Sequence, residues 1–265
     1  MAEGLHTGQV ESSDVVRSVQ RALRVLEVVA SRPDGLTAKA IARRAQIALS
    51  TTYHLLNTLV AEGYLVRLEG ARGYGLGYQV SALSRSLRQQ LGVTWAVDAA
   101  VTELHKQAGA AAYYMVFRDS ELVLAHVVDS PEAGRVDPLD VGFGAAAHAL
   151  ACGKVMLAAL APRDRREYLH QRGLPAFTER TTTDRSRLDR ELEQVAAAGL
   201  ATDQGEFRPD VACLAAPVLG PDGRVAGCVS VSLPAAEFQQ RRRRLEPVVR
   251  EGAARTSRAL PVAAG

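Results

Sequence analysis

Apolar residues recur at three- and four-residue intervals near the start of the chain, at Val15, Val19, Ala22, Leu23, Leu26, Val29 and Ala30. That period predicts an amphipathic helix, with Ser13 or Asp14 placed to cap it. Arg32-Pro33-Asp34-Gly35 ends it, since proline and glycine continue helices poorly. Thr37 is placed to cap a short helix through Ala45 that buries Ala40, Ile41 and Ala45. After a turn at 46–49, Ser50 is placed to cap a second helix with Tyr53, Leu56, Leu59 and Val60 on one face. Gly63 closes it, because a glycine just past a helix adopts the left-handed conformation readily. Residues 64–68 and 74–76 read as two strands around a glycine-rich tip at 69–73. Helix, helix–turn–helix, hairpin is the order of a winged helix–turn–helix domain.

The pattern then changes. Val80, Leu83 and Leu87 predict a helical linker over 79–92, followed by a helix over 93–107. Strand-like runs at 111–117 and 121–128 meet at Arg118-Asp119-Ser120. An apolar helix is expected over 148–160 and one with a charged outer face over 184–198. A strand pair at 212–219 and 225–233 turns at Gly220-Pro221-Asp222-Gly223, and a last helix runs over 235–259. Hairpins with helices against them make an α+β fold. The expected division is a disordered tail at 1–13, a winged domain at 14–78, the linker at 79–92 and a second domain at 93–265.

Composition narrows the classes. The 265 residues are 47% hydrophobic and 23% charged, enough for one large or two modest domains. No apolar run reaches the ~20 residues that span a bilayer, and the first fourteen residues lack the apolar core of a secretory signal. Cys152, Cys213 and Cys228 are odd in number and have no CxxC spacing, so a reducing cytoplasm is expected. The net charge of +3 is small, yet uneven. Residues 1–90 hold eleven Lys and Arg against seven Asp and Glu, and the remainder holds twenty-one against twenty-two.

The spacing of Ser18, Arg21-Ala22-Leu23, Val25-Leu26-Glu27, Gly35-Leu36-Thr37, Ile41-Ala42, Ser50-Thr51, Leu55-Leu56, Leu59, Gly63-Tyr64-Leu65 and Leu76-Gly77 resembles the IclR family of bacterial transcriptional regulators. His148-Ala149, Gly153-Lys154, Leu157-Ala158, Asp203, Glu206 and the run Cys213-Leu214-Ala215-Ala216-Pro217-Val218 extend the likeness into the second half. The resemblance implies a winged DNA-binding domain joined to a GAF-like effector-binding domain, assembled as a homodimer or a dimer of dimers. Three positions depart from the family: Gln46 where glycine is usual, His54 where arginine is usual, and Ala146 where proline is usual.

A helix buried through Leu56 and Leu59 leaves Ser50, Thr51, His54, Asn57 and Thr58 open, and the resemblance makes it the recognition helix. Small polar side chains at a helix start reach phosphates and base edges. Lys39, Arg43 and Arg44 on the preceding helix and Arg72 at the wing tip are phosphate candidates; the competing reading is a solvated polar surface. His54 is largely neutral at an ordinary pKa of about 6.5. The four arginines 241–244 point around a helix beside Glu237, Glu246 and Glu251, and are expected to form a solvated face.

For the effector, the resemblance implies a site between a helix start and the last strand pair, at Ala151, Cys152, Asp203, Cys213, Ser230 and Ser232. Free backbone N–H groups at a helix start favour a carboxylate. Ser230 and Ser232 share a strand face, and Asp203 can accept from a hydroxyl or amine. The competing reading has the serines bonding backbone and the cysteines packing in the core; Cys228 is expected there, out of phase with both serines. His148 and Cys152 are expected on one helix face at i, i+4, but no spacing supports a metal site. Gly142-Phe143-Gly144 lacks the Lys-Ser/Thr of a P-loop. No cofactor, metal or catalytic group is expected. The expected function is a ligand-responsive DNA-binding transcriptional regulator, a repressor on a pseudo-palindromic double-stranded operator, answering to a small metabolite such as an organic acid. Two rivals are an enzyme with a DNA-binding appendage using Cys213, and a ligand-independent architectural DNA binder.

Overall fold

A computed structural model describes residues 15–69, 73–118, 121–135 and 143–261. The 1–13 tail, the Ser13 and Asp14 caps, Arg72, the Asp119-Ser120 turn and Gly142 lie outside them. The chain divides into two compact units, residues 1–87 and 88–265. Among the described residues no helix is long and apolar enough to cross a membrane.

The first unit contains α1 (Arg17–Ala30), α2 (Ala38–Ala45), α3 (Leu49–Ala61), β1 (Leu65–Leu68), β2 (Gly73–Leu76) and most of α4 (Tyr78–Gln90). Its core joins Val25 and Val29 of α1 to Ile41, Ala45, Leu56, Leu59 and Leu65. Only part of the predicted α1 stripe faces this core, for Val15, Val19 and Leu23 are exposed. Thr37 caps α2 as expected, its Oγ1 accepting from the Ala40 N–H at 3.3 Å. Gln46 ends α2 in the left-handed region, at φ 57°. Glycine takes that conformation at no steric cost, whereas a Cβ makes it unfavourable.

Two expectations for α3 fail. Its N-cap is Ala48, without a side-chain cap, rather than Ser50. Thr52 is the buried residue of its first turns, donating to the Ala48 carbonyl, and Tyr53 points outward. Moving the helix start back leaves the hydrophobic stripe on Thr52, Leu56 and Leu59. The wing is the antiparallel β1–β2 pair, extended by reciprocal backbone bonds between Leu36 and Tyr74. Gly73, at φ +84°, is required there, because a Cβ would collide with the Leu36 carbonyl.

The second unit places α5 (Trp95–Ala108), β3 (Ala111–Arg118), β4 (Glu121–Val128), a 3-10 segment (Phe143–Ala149), α6 (Ala151–Ala159), α7 (Pro162–Arg172), α8 (Arg185–Ala198), β5 (Ala201–Gln204), β6 (Val211–Leu219), β7 (Val225–Pro234) and α9 (Ala235–Ala259) around one sheet. The sheet is antiparallel, in the order β4-β3-β7-β6-β5. Residues of α5 and α9, among them Val101, Leu104, Leu245 and Val249, pack with Leu214, Val229 and Val231 of the sheet. Residues of α6, among them Cys152, Val155 and Met156, pack with Tyr113, Met115, Ala215 and Cys228. Alternation along each strand puts these two sets on opposite faces. The class is α+β, as the pattern predicted.

The expected helix over 148–160 is broken. Leu150 is extended, at φ −108° and ψ 136°, and separates the 3-10 segment from α6. His148 and Cys152 therefore do not share a helix face. Gly153 allows this packing, since a Cβ would run into the Ala147 backbone. The arginine run is only partly a solvated face. Arg241 donates to the carbonyls of Ala108 and Gly109 at 2.6 and 2.9 Å, closing the end of α5, while Arg242 pairs with Glu246.

Candidate nucleic-acid interface and effector site

On α3, Ser50, His54, Asn57 and Thr58 are exposed and Thr51 is half-buried. One helical turn separates Ser50 from His54, and Asn57 follows at three residues, so these lie along one face. Tyr53 borders it, a contact candidate that the buried assignment had hidden. The Thr58 hydroxyl donates to the His54 carbonyl at 3.1 Å. Asn57 is oriented, its Oδ1 accepting from Arg67 of β1 at 2.9 Å, and the Arg67 guanidinium lies 6.0 Å from the Tyr74 ring centroid. Arg67 thus ties the helix face to the wing. The residue itself was visible, but its partner Asn57 lies on the preceding helix and no local spacing announces the contact. Lys39, Arg43 and Arg44 are exposed on α2.

In the second unit, strand register sets the geometry. Asp203 pairs with Cys213, Cys213 with Ser232 and Ser232 with Ala111, so these four form one row across the α6 face of the sheet. Ala201, Ala215, Ser230 and Tyr113 form the next row. Cys228 lies two residues before Ser230 and on the same face, packed in the α6-side core; it is in phase with both serines, contrary to expectation. Tyr113 and Ser232 share a hydrogen bond of 2.8 Å. Ser232 also lines a cavity of about 480 Å³ with Ala111, Val211, Arg208, Glu132 and Arg241.

Ala151 and Cys152 open α6, whose N-terminus has no side-chain cap. The Cys152 sulfur accepts from its own N–H and that of Gly153, yet burial still pushes its pKa up to about 12. Burial also raises Cys213 and Cys228 well above the usual thiol range. Protonated thiols are poor nucleophiles, which works against the Cys213 enzyme reading. Asp203 is buried and its Oδ1 accepts from the Glu206 N–H at 2.7 Å. Burial lifts its pKa to about 6, although the amides of Glu206, Phe207 and Gly205 and the Lys154 charge pull it down. Asp203 therefore already holds its own turn. His148 is a core histidine, bonded to the Pro175 carbonyl at 3.0 Å and lowered in pKa chiefly by burial. Among the described residues, no group of three or more His, Cys, Asp or Glu is arranged to hold a metal ion.

A buried ion cluster had not been anticipated. Lys154 is fully buried, with its Nζ 2.6 Å from Glu191 Oε1 and 2.6 and 2.7 Å from the two Glu206 oxygens. Burial, with Lys154 opposing it, raises Glu206 to about 7. Thr181 and Thr178 donate to the Glu206 and Gly205 carbonyls at 2.6 and 2.7 Å. Lysine is rarely buried unless paired, so Lys154 inside an apolar helix was the available signal.

Comparison with known proteins places this architecture. A profile of the IclR helix–turn–helix domain matches residues 18–69, and one of the bacterial transcriptional regulator IclR C-terminal domain matches 86–258. The HTH-type transcriptional regulator BhcR of Paracoccus denitrificans is 28% identical over 232 residues, covering 88% of this chain and 82% of that protein. The crystal structure of the Thermotoga maritima IclR superposes with a TM-score of 0.76 at 22% identity, over 91% of this chain and 98% of that one. An IclR homolog from Microbacterium hydrocarbonoxydans, crystallised with 4-hydroxybenzoate, gives 0.70 at 24% identity, over 92% and 98%. The chain belongs to the IclR family, and it is a DNA-binding transcriptional regulator.

Proposed function

We propose that this regulator is a cytoplasmic repressor that binds a pseudo-palindromic operator as a homodimer through residues 14–78. The 79–92 helix connects this head to an effector domain at 93–265, and a small organic acid is the signal. The observation that carries the reading is the open face of α3, where Ser50, His54 and Asn57 stand clear of a core built from the opposite side of the same helix. These residues, with Thr51, Thr58 and Tyr53, read base edges and phosphates, and Lys39, Arg43, Arg44, Arg67 and Arg72 add phosphate contacts. A second copy supplies the cover for α1, whose Val16, Val19 and Leu23 are exposed opposite the core residues Val25 and Val29. Leu83 and Leu87 of α4 are likewise exposed.

The acid's carboxylate takes the uncapped amides at Ala151 and Cys152, and its other end meets Ser232, Ser230 and Tyr113, with Asp203 and Cys213 on the same sheet face. Binding shifts the dimer only by its differential affinity for the two arrangements of the heads. The regulator does no chemistry on its ligand. Selecting an operator from random duplex DNA and titrating salt tests the DNA half: affinity must fall steeply as salt rises, and a flat response overturns it. A thermal-shift screen of carboxylic acids tests the other half, since a ligand at a hundred times its Kd adds about 2.7 kcal/mol. Replacing 83–90 with a Gly/Ser tether should abolish ligand response and leave DNA binding. If no small molecule stabilises the protein or releases the operator, the architectural rival gains.

A further inference from the structure

We propose a second ligand site in the effector unit, apart from the Ser232 row: a cleft along α8 that takes a phosphorylated polyol, a sugar monophosphate in size and charge. The cleft has a volume of about 720 Å³, within the range of small-molecule sites. Arg187, Arg190, Glu191 and Gln194 line one wall, at the three- and four-residue spacing of a single helix face. The 179–182 segment, Gln204 and Glu206 line the other. That second wall is tied down by its own hydrogen bonds. Thr178 and Thr181 donate to the Gly205 and Glu206 carbonyls at 2.7 and 2.6 Å, and Arg180 donates to the Gln204 carbonyl at 3.2 Å. Thr182 breaks this pattern. It is 4% exposed and lines the cleft, yet its hydroxyl has no hydrogen-bond partner among the described residues. A buried hydroxyl left unpaired is costly, so this one marks where a polar group of a ligand belongs.

The charges select the ligand. Among the described residues Arg187 and Arg190 have no ion pair or side-chain hydrogen bond, whereas Arg185 on the same helix pairs with Asp189 at 3.0 Å. With Arg180 they bring three guanidinium groups to one cleft, a match for the dianion of a phosphate monoester, whose oxygens accept forked hydrogen bonds. A monocarboxylate would leave much of that charge unmatched. Two lining carboxylates turn towards Lys154, Glu206 with both oxygens and Glu191 with Oε1. Lys154 thus takes up part of their charge behind the wall, and Glu191 keeps its second oxygen as an acceptor. Glu179, the third, is exposed. Gln204 Oε1 accepts from Gln239 at 2.7 Å, which leaves its amide N–H groups for a ligand. Acceptors and amides beside guanidinium groups suit hydroxyls attached to the anion, not a bare anion. Asp203 of the Ser232 row touches this wall only through the Glu206 N–H, at 2.7 Å, so the proposal does not depend on the organic-acid site.

The test is phosphorus NMR line broadening with calorimetric titration of the full chain. The probes are a panel of pentose and hexose monophosphates, the free sugars and inorganic phosphate. At least one sugar phosphate should bind about tenfold more tightly than inorganic phosphate or its free sugar. Arg187→Gln with Arg190→Gln should weaken that binding by more than about tenfold, the worth of one charge-assisted hydrogen bond. Both side chains are exposed, so the melting temperature should stay where it is. Thr182→Val removes the hydroxyl and little else. It should weaken binding several-fold and leave the unliganded protein as stable as before, or more so. A destabilised Thr182→Val would mean that the hydroxyl already serves the fold, and the proposal fails. It fails too if no sugar phosphate binds, if inorganic phosphate binds equally well, or if the arginine changes leave binding intact. Ser232→Ala separates this cleft from the organic-acid site. Sugar-phosphate binding should survive it, whatever becomes of carboxylic-acid binding. Sugar-phosphate binding lost with Ser232→Ala would put the phosphate in the Ser232 row and overturn the proposal.

Discussion

The two units handle polar chemistry in opposite ways. In the winged unit, the candidate DNA contacts stand on the solvent side of α3, while Thr52, Leu56 and Leu59 on its far side hold the core. In the effector unit, Asp203, Ser230, Ser232, Lys154 and most of Glu206 are inside. An exposed polar residue can be exchanged with little effect on folding. A buried one must be paired, because an unpaired polar group or charge in the interior costs more than the pairing returns. Function and stability are therefore separable in the first unit and entangled in the second.

The largest expected effect tests that entanglement. Lys154→Ala would strand Glu206 and Glu191 beside an apolar helix and should destabilise the effector unit by about 3–5 kcal/mol. The winged unit should keep its own transition in denaturant unfolding, and Lys154→Met with Glu206→Gln together should recover much of the loss. A loss under about 1 kcal/mol for Lys154→Ala would break the comparison, since surface ion pairs are worth no more than that.

The next prediction uses acidity. Burial raises Asp203 from 3.8 to about 6 and Glu206 from 4.5 to about 7. Each carboxyl keeps its proton to a higher pH in the folded protein than in the unfolded chain. The folded state thus binds more protons between roughly pH 4 and pH 7, and its stability falls as pH rises through that window. A rise of about two pKa units corresponds to roughly 3 kcal/mol for each group, so the two together should contribute a decline of several kcal/mol. Glu206→Gln should flatten the upper part of that slope, and a slope unchanged by it would assign the effect elsewhere.

This division also explains what could be read from the residues alone. The winged unit was legible because its signals are local: Thr37 as a cap, Gly63 past a helix, a glycine-rich hairpin tip. Where the reading slipped, at Ser50 and Tyr53, the helix starts two residues earlier, at Leu49 behind an uncapped Ala48, and no side chain advertises that start. In the effector unit the strand pairs and α9 were legible from period and turn chemistry. The break at Leu150 was not, because the run from Ala145 to Leu160 is apolar almost throughout, and a helix and a kinked 3-10 segment bury it equally well. α7 was missed because Tyr168 and Leu169 are its buried residues in an otherwise polar run. β5 was missed because four residues give too short an alternation. Lys154 and its carboxylates come from three separate elements, so only the fold brings them together.

The outward face of α3 gives a smaller effect with the opposite signature. Asn57→Ala should weaken binding to a selected operator by about 1–3 kcal/mol, the worth of a good base contact. Stability should change by less than about 0.5 kcal/mol, as for other exposed positions. Arg67→Ala, which frees Asn57 rather than removing it, should weaken binding less and reduce its salt dependence. If Asn57→Ala unfolds the winged unit instead, its polar face is structural and the contrast between the units disappears.

The smallest effect lies in the turn between α2 and α3. Gln46 is the one non-glycine among the described residues with a positive φ, at 57°. It is held there because Ile47 donates to the Ala42 carbonyl at 3.0 Å and closes the helix end. A side chain in that conformation costs roughly 1–2 kcal/mol, and glycine avoids this at an entropic cost of about 0.5–1 kcal/mol in the unfolded chain. The difference predicts that Gln46→Gly stabilises the winged unit by about 0.5–1 kcal/mol in denaturant unfolding, with operator affinity unchanged or slightly improved. A loss of stability would mean that the Gln46 side chain has a partner that outweighs its backbone strain. The turn would then be another place where function and folding share one residue, this time in the unit where they otherwise stay apart.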